Sequence, residues 1–463
     1  MRNLSVIILA AGKGTRMKSA LPKVLHPVCG LPMLHYPVSV VKRVCSSNSK
    51  VVAVVGCGAE DVKAAFGGRG LSFVYQKDQL GTGHAVMQAS AALKGVDGDV
   101  LILSGDVPLI TADTITALVK FHRSGGKAAP VMTLVTAMLA NPSGYGRVLR
   151  NDAGAVEAVV EEKDCGDCER AIHEINAGIY IVKAGFLFEN LKRLGNRNAQ
   201  SEYYLPDLVR LARKAGHKVK ALTHHDTEEV MGINNRVELA KAARVMRQRI
   251  NTAMMLSGVT IIDPDTTYID ADVSVGVDSI IHPGARIAGA TVIGANCVIE
   301  QGSHLVDSIL GNNTTVKAYS LIEGTKAGKG VIIGPFARLR PGNVIADEAR
   351  IGNFVEVKKT TIGKGTKANH LSYLGDAVIG AGVNIGAGTI TCNYDGAKKH
   401  RTVIEDRAFI GSDTQLVAPV KVGKGAYVGS GTTVTKDVPP DALVVTRVSA
   451  RVVEGWAIKR KKG

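Results

Sequence analysis

The first 23 residues contain four groups that could together hold a chain of phosphates. The segment Leu4–Lys23, LSVIILAAGKGTRMKSALPK, runs from an apolar, strand-like stretch into a glycine-rich loop carrying Arg16 and Lys23. Gly12 and Gly14 can take backbone angles closed to other residues, so successive N–H groups can turn toward phosphate oxygens while the two cations neutralise charge. The spacing is not that of a P-loop, GxxxxGK followed by Ser or Thr. It is not a dinucleotide-binding loop either, since that would place a third glycine where Met17 stands. A nucleoside triphosphate pocket is the chemistry this loop suits.

Two more residues have types that could carry chemistry. Asp106 follows the strand-like run Val100–Leu103 and is placed to ligate Mg2+, which takes few protein ligands and completes its shell with phosphate oxygens and water. A turn aspartate at a strand end reads the same way in isolation. His370, in HLSYLGD, could act as a base near neutral pH, although a lone histidine in a repeat is more often a wall residue.

These residues need elements to position them. The first half alternates apolar runs with amphipathic stretches in the manner of a mostly parallel α/β sheet. Strands are predicted at Leu4–Leu9, Val51–Val55, Ser72–Tyr75, Val100–Leu103, Val131–Val135 and Ile179–Val182, and a helix at Thr111–Arg123. Ligands of such sheets bind beyond the carboxyl ends of strands, where the glycine loop and Ser104-Gly105-Asp106 both fall. A charged amphipathic stretch, Arg236–Leu256, reads as a connecting helix. From about Ser257 aliphatic residues recur every six positions, as at Ile404, Ile410, Leu416, Val422, Val428 and Val434, at Ile287, Ile293, Ile299 and Leu305, and at Ile379 and Ile385. Period six fits neither a helix nor a two-sided strand, and a β-sandwich gives no reason for a fixed interval. With glycine after many of the aliphatics it is the hexapeptide signature of a parallel β-helix with on the order of ten rungs. The pattern resembles left-handed hexapeptide β-helices, which commonly trimerise. The expected division is 1–234, a linker 235–256, the β-helix 257–448 and a basic tail 449–463. Between Ile390 and Val403 the segment TCNYDGAKKHRT is too long for one side of a coil and should loop out, where binding residues of a solenoid collect.

Composition narrows the function class. At 463 residues the chain should form two or more domains. The net charge of +16 could signal nucleic acid, but the basic residues are dispersed except in Lys459-Arg460-Lys461-Lys462, and anionic small substrates account for the excess as well. No dedicated nucleic-acid partner is expected, nor is the tail expected to be an anchor for acidic surfaces. No apolar run reaches the roughly 20 residues of a membrane span, and Val6–Ala11 is too short for an export signal. Seven scattered cysteines argue against a disulfide framework and for a cytosolic protein. Cys165 and Cys168 form a lone CxxC without a second pair for zinc, and are expected to be surface-loop thiols.

The GxGTR and Leu21-Pro22-Lys23 elements resemble the signature of sugar-phosphate nucleotidyltransferases. Taken together, LAAGKGTRM, QLGTGHA, GDVPL, GYGR, EINAGIY and GINNR, then IGPFARLRPG, GNFVEVKK, HLSYLGD, NIGAGTITCNYDG and GSDTQLVAPV, resemble in order a bacterial family of bifunctional N-acetylglucosamine-1-phosphate uridyltransferases and glucosamine-1-phosphate N-acetyltransferases. The resemblance spans nearly the whole chain. It implies that the first half transfers a uridylyl group from UTP to N-acetylglucosamine-1-phosphate with Mg2+, releasing pyrophosphate. The second half would transfer acetyl from acetyl-CoA to glucosamine-1-phosphate, and together they would supply a cell-wall precursor. In the first half it implies Leu9, Ala10, Ala11, Gly12, Arg16 and Lys23 at the triphosphate, and Gln76, Gly81 and Thr82 at uracil. Ser104, Gly105 and Asp106 follow, with Asn234 as second metal ligand beside Asp106, and Gly146, Glu161 and Asn176 at the sugar. In the second half it implies His370 as base and Arg340, Lys358, Tyr373 and Asn384 on glucosamine-1-phosphate. Ala387, Asn393, Tyr394, Ser412, Ser430 and Arg447 would meet acetyl-CoA. A homotrimer with clefts between columns is also implied. Ser104 departs from the family pattern, which often has an aromatic residue there, and Ser430 stands where alanine is frequent. The competing reading is a nucleotidyltransferase whose β-helix is structural or regulatory; a purely structural column would not need His370 or the looped-out TCNYDG.

Overall fold

The computed structural model describes residues 3–126 and 129–461, so Lys462 of the basic tail lies outside the described residues. The chain divides into two compact units between Met246 and Arg247, within the helix Arg236–Leu256.

In the first unit, strands β1 (Leu4–Ala10), β2 (Val51–Val55), β3 (Ser72–Tyr75), β4 (Asp99–Ser104), β5 (Met132–Met138), β6 (Glu174–Lys183) and β7 (Val219–His224) lie in the order β7-β5-β6-β4-β1-β2-β3. Of these, β6 runs antiparallel to both neighbours, and the other pairs are parallel. Alternate residues of β1 feed opposite cores. Val6 and Ile8 pack with Val38, Val41 and Leu118, while Ile7 packs with Val86, Leu93 and Leu187. This is why β1 reads as continuous apolar sequence: helices cover both faces of the sheet. The helix at 112–123 begins one residue later than its pattern because Thr111 is the cap, its Oγ1 accepting from the Thr114 N–H at 3.2 Å.

Three strands of this sheet escape the sequence pattern. Arg147–Arg150 and Val156–Val160 form a hairpin that joins β6 through Arg147 and Ile175. The third, β7, is a half-exposed edge strand of mixed polarity. Cys165 corrects the surface-thiol expectation: it is 6% exposed, with Sγ 3.4 Å from the Glu161 carbonyl oxygen, whereas Cys168 is exposed.

The second unit is a left-handed parallel β-helix. Ile281, Ile299, Val316, Ile333 and Ile351 stack on successive rungs, and all six aliphatics from Ile404 to Val434 at the six-residue interval are at most 2% exposed. The glycine after the aliphatic lets rungs close on one another: a Cβ at Gly363 would lie 2.4 Å from the Gly380 carbonyl carbon. Buried hydroxyls tie rung to rung, as in Thr360 Oγ1 to the Leu374 carbonyl at 3.0 Å and Thr366 Oγ1 to that of Gly380 at 2.6 Å. Ile250 and Met254, from the last turns of the 236–256 helix, pack on the column's core. There the fully buried Asn251 donates to the carbonyls of Pro264 and Thr267. A solenoid needs such a cap, because its terminal rung would otherwise expose apolar interior. Val378 pairs directly with Val403, and the residues in excess of an ordinary rung leave the column after the strand Ile390–Cys392 as a small hairpin in which Tyr394 bridges Lys399.

Candidate active sites

The loop after β1 turns on Gly14, whose φ of 58° lies in the left-handed region, and is anchored by Met17, 1% exposed. It forms one wall of a cavity of about 440 Å³ that is also lined by Leu9, Ala10, Ala11, Gly12, Arg16, Lys23, Gln76, Gly81, Thr82, Ser104, Asp106 and Asn234. The structure therefore gathers the residues assigned to the triphosphate, uracil and metal around one volume. Gly105 lines neither this cavity nor the adjoining one. It is packed against Leu34 and the Leu9 carbonyl, to which its N–H donates at 2.8 Å, and this contact fixes where Asp106 emerges. The loop carrying Gly81 is clasped by a distant segment. The Gly83 N–H donates to the Tyr203 carbonyl at 2.7 Å, and Thr82 Oγ1 accepts from the Leu205 N–H at 3.1 Å. Gln76, 3% exposed, donates to the Gly81 carbonyl and lies 3.0 Å from His84 Nδ1. Gln79 and Glu202 also line this cavity; Gln79 opens the segment QLGTGHA but is given no role there, and Glu202 lies in none of the segments that carry the resemblance.

An adjoining cavity of about 180 Å³ shares Thr82, Ser104 and Asp106 with the first and adds Gly146, Glu161, Asn176, Tyr145 and Tyr180. A register break in β6 between Asn176 and Tyr180 opens this wall, where the Asn176 side chain donates to the Tyr180 hydroxyl at 2.6 Å. Gly146 lies against the Glu161 carboxyl, 3.5 Å from where its own Cβ would stand. Burial, then Asp164, Asp207 and Glu202, push the Glu161 carboxyl up to about 7. The nearby cation does not offset this: Arg147, 2% exposed, is committed to Glu162 at 2.7 Å and to the Tyr145 carbonyl. Burial, then Glu238 and Asp106, raise Tyr145 to about 12, so its hydroxyl stays protonated.

Asp106 stands at the junction of the two cavities. Its Oδ2 is ion-paired with Lys23 Nζ, which also donates to Asn234 Oδ1 at 3.1 Å. Asn234 is held in turn by its own Nδ2 on the Gly232 carbonyl and its N–H on Glu238 Oε2. The Ile233 N–H donates to the Asp106 carbonyl at 3.0 Å, which joins the GINNR segment to the Asp106 turn.

On the β-helix, His370 is exposed and its Nδ1 lies 3.1 Å from Asn353 Oδ1 on the rung before. An amide oxygen can only accept, so this contact calls for the proton on Nδ1 and leaves Nε2 as the basic nitrogen. Asn353 carried no sequence signal beyond lying in GNFVEVKK. Around Lys358, 9% exposed, the structure collects Asp376 Oδ2 at 3.6 Å, Lys399 from the hairpin, Tyr373 and Arg340, which pairs with Glu356 at 3.2 Å. Asn393 donates to the same Asp376 oxygen. Contact with the Lys399 amine, then Asp376, holds Lys358 above the ordinary lysine value, and the same contact pushes Lys399 below it. Lys399 is a second residue that the sequence did not mark. Ala387, Ser412 and Ser430 follow one another on successive rungs, with the Gly431 N–H on the Ser412 carbonyl. Asn384 occupies its own short strand between Lys367 and Phe409. Tyr394 is 59% exposed on the hairpin, and Arg447 is exposed beyond the strand Leu443–Val444.

A glycine loop and an acidic turn at the carboxyl ends of a mostly parallel sheet, joined to a hexapeptide column, define a nucleotidyltransferase fused to a hexapeptide transferase. Family models agree in both halves. A MobA-like NTP transferase domain matches residues 6–162, a GMPPB C-terminal domain 266–348, and bacterial transferase hexapeptide (six repeats) 401–436. The chain is 52% identical to the bifunctional protein GlmU of Pelobacter propionicus over 463 residues, covering 100% of each. It is 51% identical to that of Geotalea uraniireducens over 462 residues, again 100% of each, and 48% identical to that of Halalkalibacterium halodurans over 460 residues, 99% of this chain and 100% of the relative. The chain belongs to the GlmU family of bifunctional enzymes.

Proposed function

We propose that the two halves act in succession to make UDP-N-acetylglucosamine, acetylating glucosamine-1-phosphate with acetyl-CoA and then transferring the uridylyl group of UTP to the product. The observation that carries the second step is the position of Asp106 in the shared wall of a nucleotide-sized cavity and a sugar-sized one. A phosphate oxygen of the sugar phosphate entering from the smaller cavity can reach the α-phosphorus of a nucleotide held in the larger. The new P–O bond forms as the bond to pyrophosphate breaks. Arg16 and Lys23 neutralise charge on the departing pyrophosphate, and the loop N–H groups hold the chain in line. Asp106 and Asn234 fit a small hard cation, since one carboxylate and one amide oxygen already converge on a single cation, the Lys23 ammonium. Mg2+ bound there would supply charge neutralisation at the phosphates. Gln76, Gly81 and Thr82 are assigned to the uracil edge, and Gly146, Glu161 and Asn176 to the N-acetylglucosamine.

In the acetyl half, His370 Nε2 takes the proton as the glucosamine nitrogen attacks the thioester carbonyl, and the thiol of coenzyme A leaves with a proton. Asn353 keeps the ring turned so that Nε2 faces outward. Arg340, Lys358 and Lys399 suit the sugar phosphate: the two lysines repel one another, and a phosphate dianion between them would relieve that repulsion. Tyr373 and Asn384 are assigned to the sugar, and Ala387, Asn393, Tyr394, Ser412, Ser430 and Arg447 to acetyl-CoA.

We also propose a homotrimer. Tyr319, Phe336 and Phe354 stack rung upon rung with ring centroids 5.4 and 5.5 Å apart, each about half exposed, and Leu371, beside His370, continues the ladder at 63% exposure. Burying this ladder against a second column would place His370 in a cleft between subunits. Among the described residues no helix is long and apolar enough to cross a membrane; we propose a cytoplasmic location on the seven scattered cysteines, which suit a reducing compartment. The assignment is tested by assaying pyrophosphate release from UTP plus N-acetylglucosamine-1-phosphate, and free thiol release from acetyl-CoA plus glucosamine-1-phosphate. Both are expected; absence of thiol release would leave the β-helix without catalytic function.

A further inference from the structure

Lys23 does more than line the nucleotide cavity. Its ammonium sits on Asp106 Oδ2 and 3.1 Å from Asn234 Oδ1, the two oxygens assigned above to a divalent cation. Both side chains of the ion pair are largely shielded, at 13% and 14% exposure, so the interaction is not lost to bulk water. The lysine stem is confined as well. Gly14 approaches it so closely that a Cβ there would lie 2.7 Å from Lys23 Cβ, and Lys23 opens a short turn, 23–25, whose Val24 and Leu25 are buried. Asn234 is oriented toward the ammonium by its bond to the Gly232 carbonyl. A positive charge therefore already fills the point on which both oxygens converge, and an ammonium and a divalent cation cannot occupy it together.

We propose that Lys23 is a built-in placeholder for the metal: in the free protein its ammonium blocks the Asp106–Asn234 pair, and a bound triphosphate draws it away and opens the pair. The proposal rests on the assignment of Asp106 and Asn234 as metal ligands. It makes metal binding depend on nucleotide binding, because the phosphates compete with Asp106 for the same ammonium. By linkage the metal must then favour the nucleotide by the same factor.

The test titrates Mn2+ alone, without nucleotide, into the full chain and follows the free-ion signal by electron paramagnetic resonance. Wild type should bind weakly at this site. Lys23→Met should bind at least about tenfold more tightly, within the usual range of a coupling between sites. Lys23→Gln, which keeps a donor toward both oxygens but removes the charge, should show the same gain, whereas Lys23→Arg should bind as weakly as wild type. Thermal melting of each variant establishes that it is folded. The gain should vanish in Lys23→Met combined with Asp106→Asn. If both neutral variants bind Mn2+ no better than wild type while Asp106→Asn removes what binding there is, the placeholder idea is wrong and the metal assignment stands. If Asp106→Asn changes Mn2+ binding in no background, the metal assignment itself fails.

Discussion

Glu161 offers a test of the sugar cavity that needs no substrate. Its carboxyl is largely buried beside Gly146, with Asp164, Asp207 and Glu202 adding negative potential, and it is pushed from 4.5 to about 7. A raised carboxyl holds its proton in the folded state over a range where the unfolded chain has lost it. Its effect on stability is therefore absent below the ordinary value of 4.5 and grows as pH rises through that window to about 7, where the folded state too must accept the buried charge. At 1.36 kcal/mol per pH unit the destabilisation at pH 8 is at most about 3 kcal/mol, and relaxation or water entry would reduce it toward about 1 kcal/mol. Glu161→Gln keeps the shape and removes the ionisation. Differential thermal melting of variant and wild type should show Glu161→Gln gaining on wild type as pH rises from about 5 to about 8. The gain should be roughly 2–4 °C for each kcal/mol in a domain of this size. Any hydrogen bond lost to the amide would offset both ends of the range equally, so the slope is the signal. A melting difference that stays constant between these pH values, or that moves the other way, would refute burial and like charge as the cause.

Three further outcomes follow from the geometry. Asp106→Ala should reduce uridylyl transfer by several powers of ten, as loss of a positioned charge at a phosphoryl centre does, and leave acetyl transfer within a few-fold of wild type; separate pyrophosphate and thiol assays distinguish the two. His370→Ala should lower acetyl transfer by roughly 10²–10⁴, and Asn353→Leu by about tenfold or less, since it removes one orienting hydrogen bond; equal losses would mean that Asn353 does more than hold the ring. Phe354→Glu should place a charge in the exposed aromatic ladder, shift sedimentation from trimer to monomer and remove acetyl transfer while sparing uridylyl transfer. An acetylating monomer would rule out a shared cleft.

The period of six made the β-helix readable, because every coil buries one aliphatic per side and Ile404 to Val434 repeat that demand without interruption. The glycine loop was equally legible, since few residue types can turn N–H groups toward phosphate while carrying Arg16 and Lys23 beside them. What escaped were contacts made across long sequence separations. Lys23 meets Asn234, Thr82 meets Leu205, and His370 meets Asn353 one rung away; in each case neither residue constrains the other's type in any local pattern. Lys399 lies in the looped-out segment where binding residues are expected to collect, but nothing in the run Lys398-Lys399-His400-Arg401 singles it out from its neighbours. The hydroxyls inside the column, such as Thr360 and Thr366, read as ordinary turn residues until their partners on the next rung are seen. The edge strand β7 lacks the alternation that marks a strand with one dry face.

Succession of the two reactions on one chain is most directly tested by supplying the purified protein with glucosamine-1-phosphate, UTP, Mg2+ and acetyl-CoA carrying a deuterated acetyl group, and following the products by mass spectrometry. UDP-N-acetylglucosamine should accumulate with the deuterated acetyl group, with free coenzyme A and pyrophosphate released in equal amounts. His370→Ala should stop its formation unless N-acetylglucosamine-1-phosphate is added. Accumulation of UDP-glucosamine, or of sugar nucleotide only when acetylated sugar phosphate is supplied to the wild-type protein, would show that the β-helix does not acetylate the substrate of the first domain.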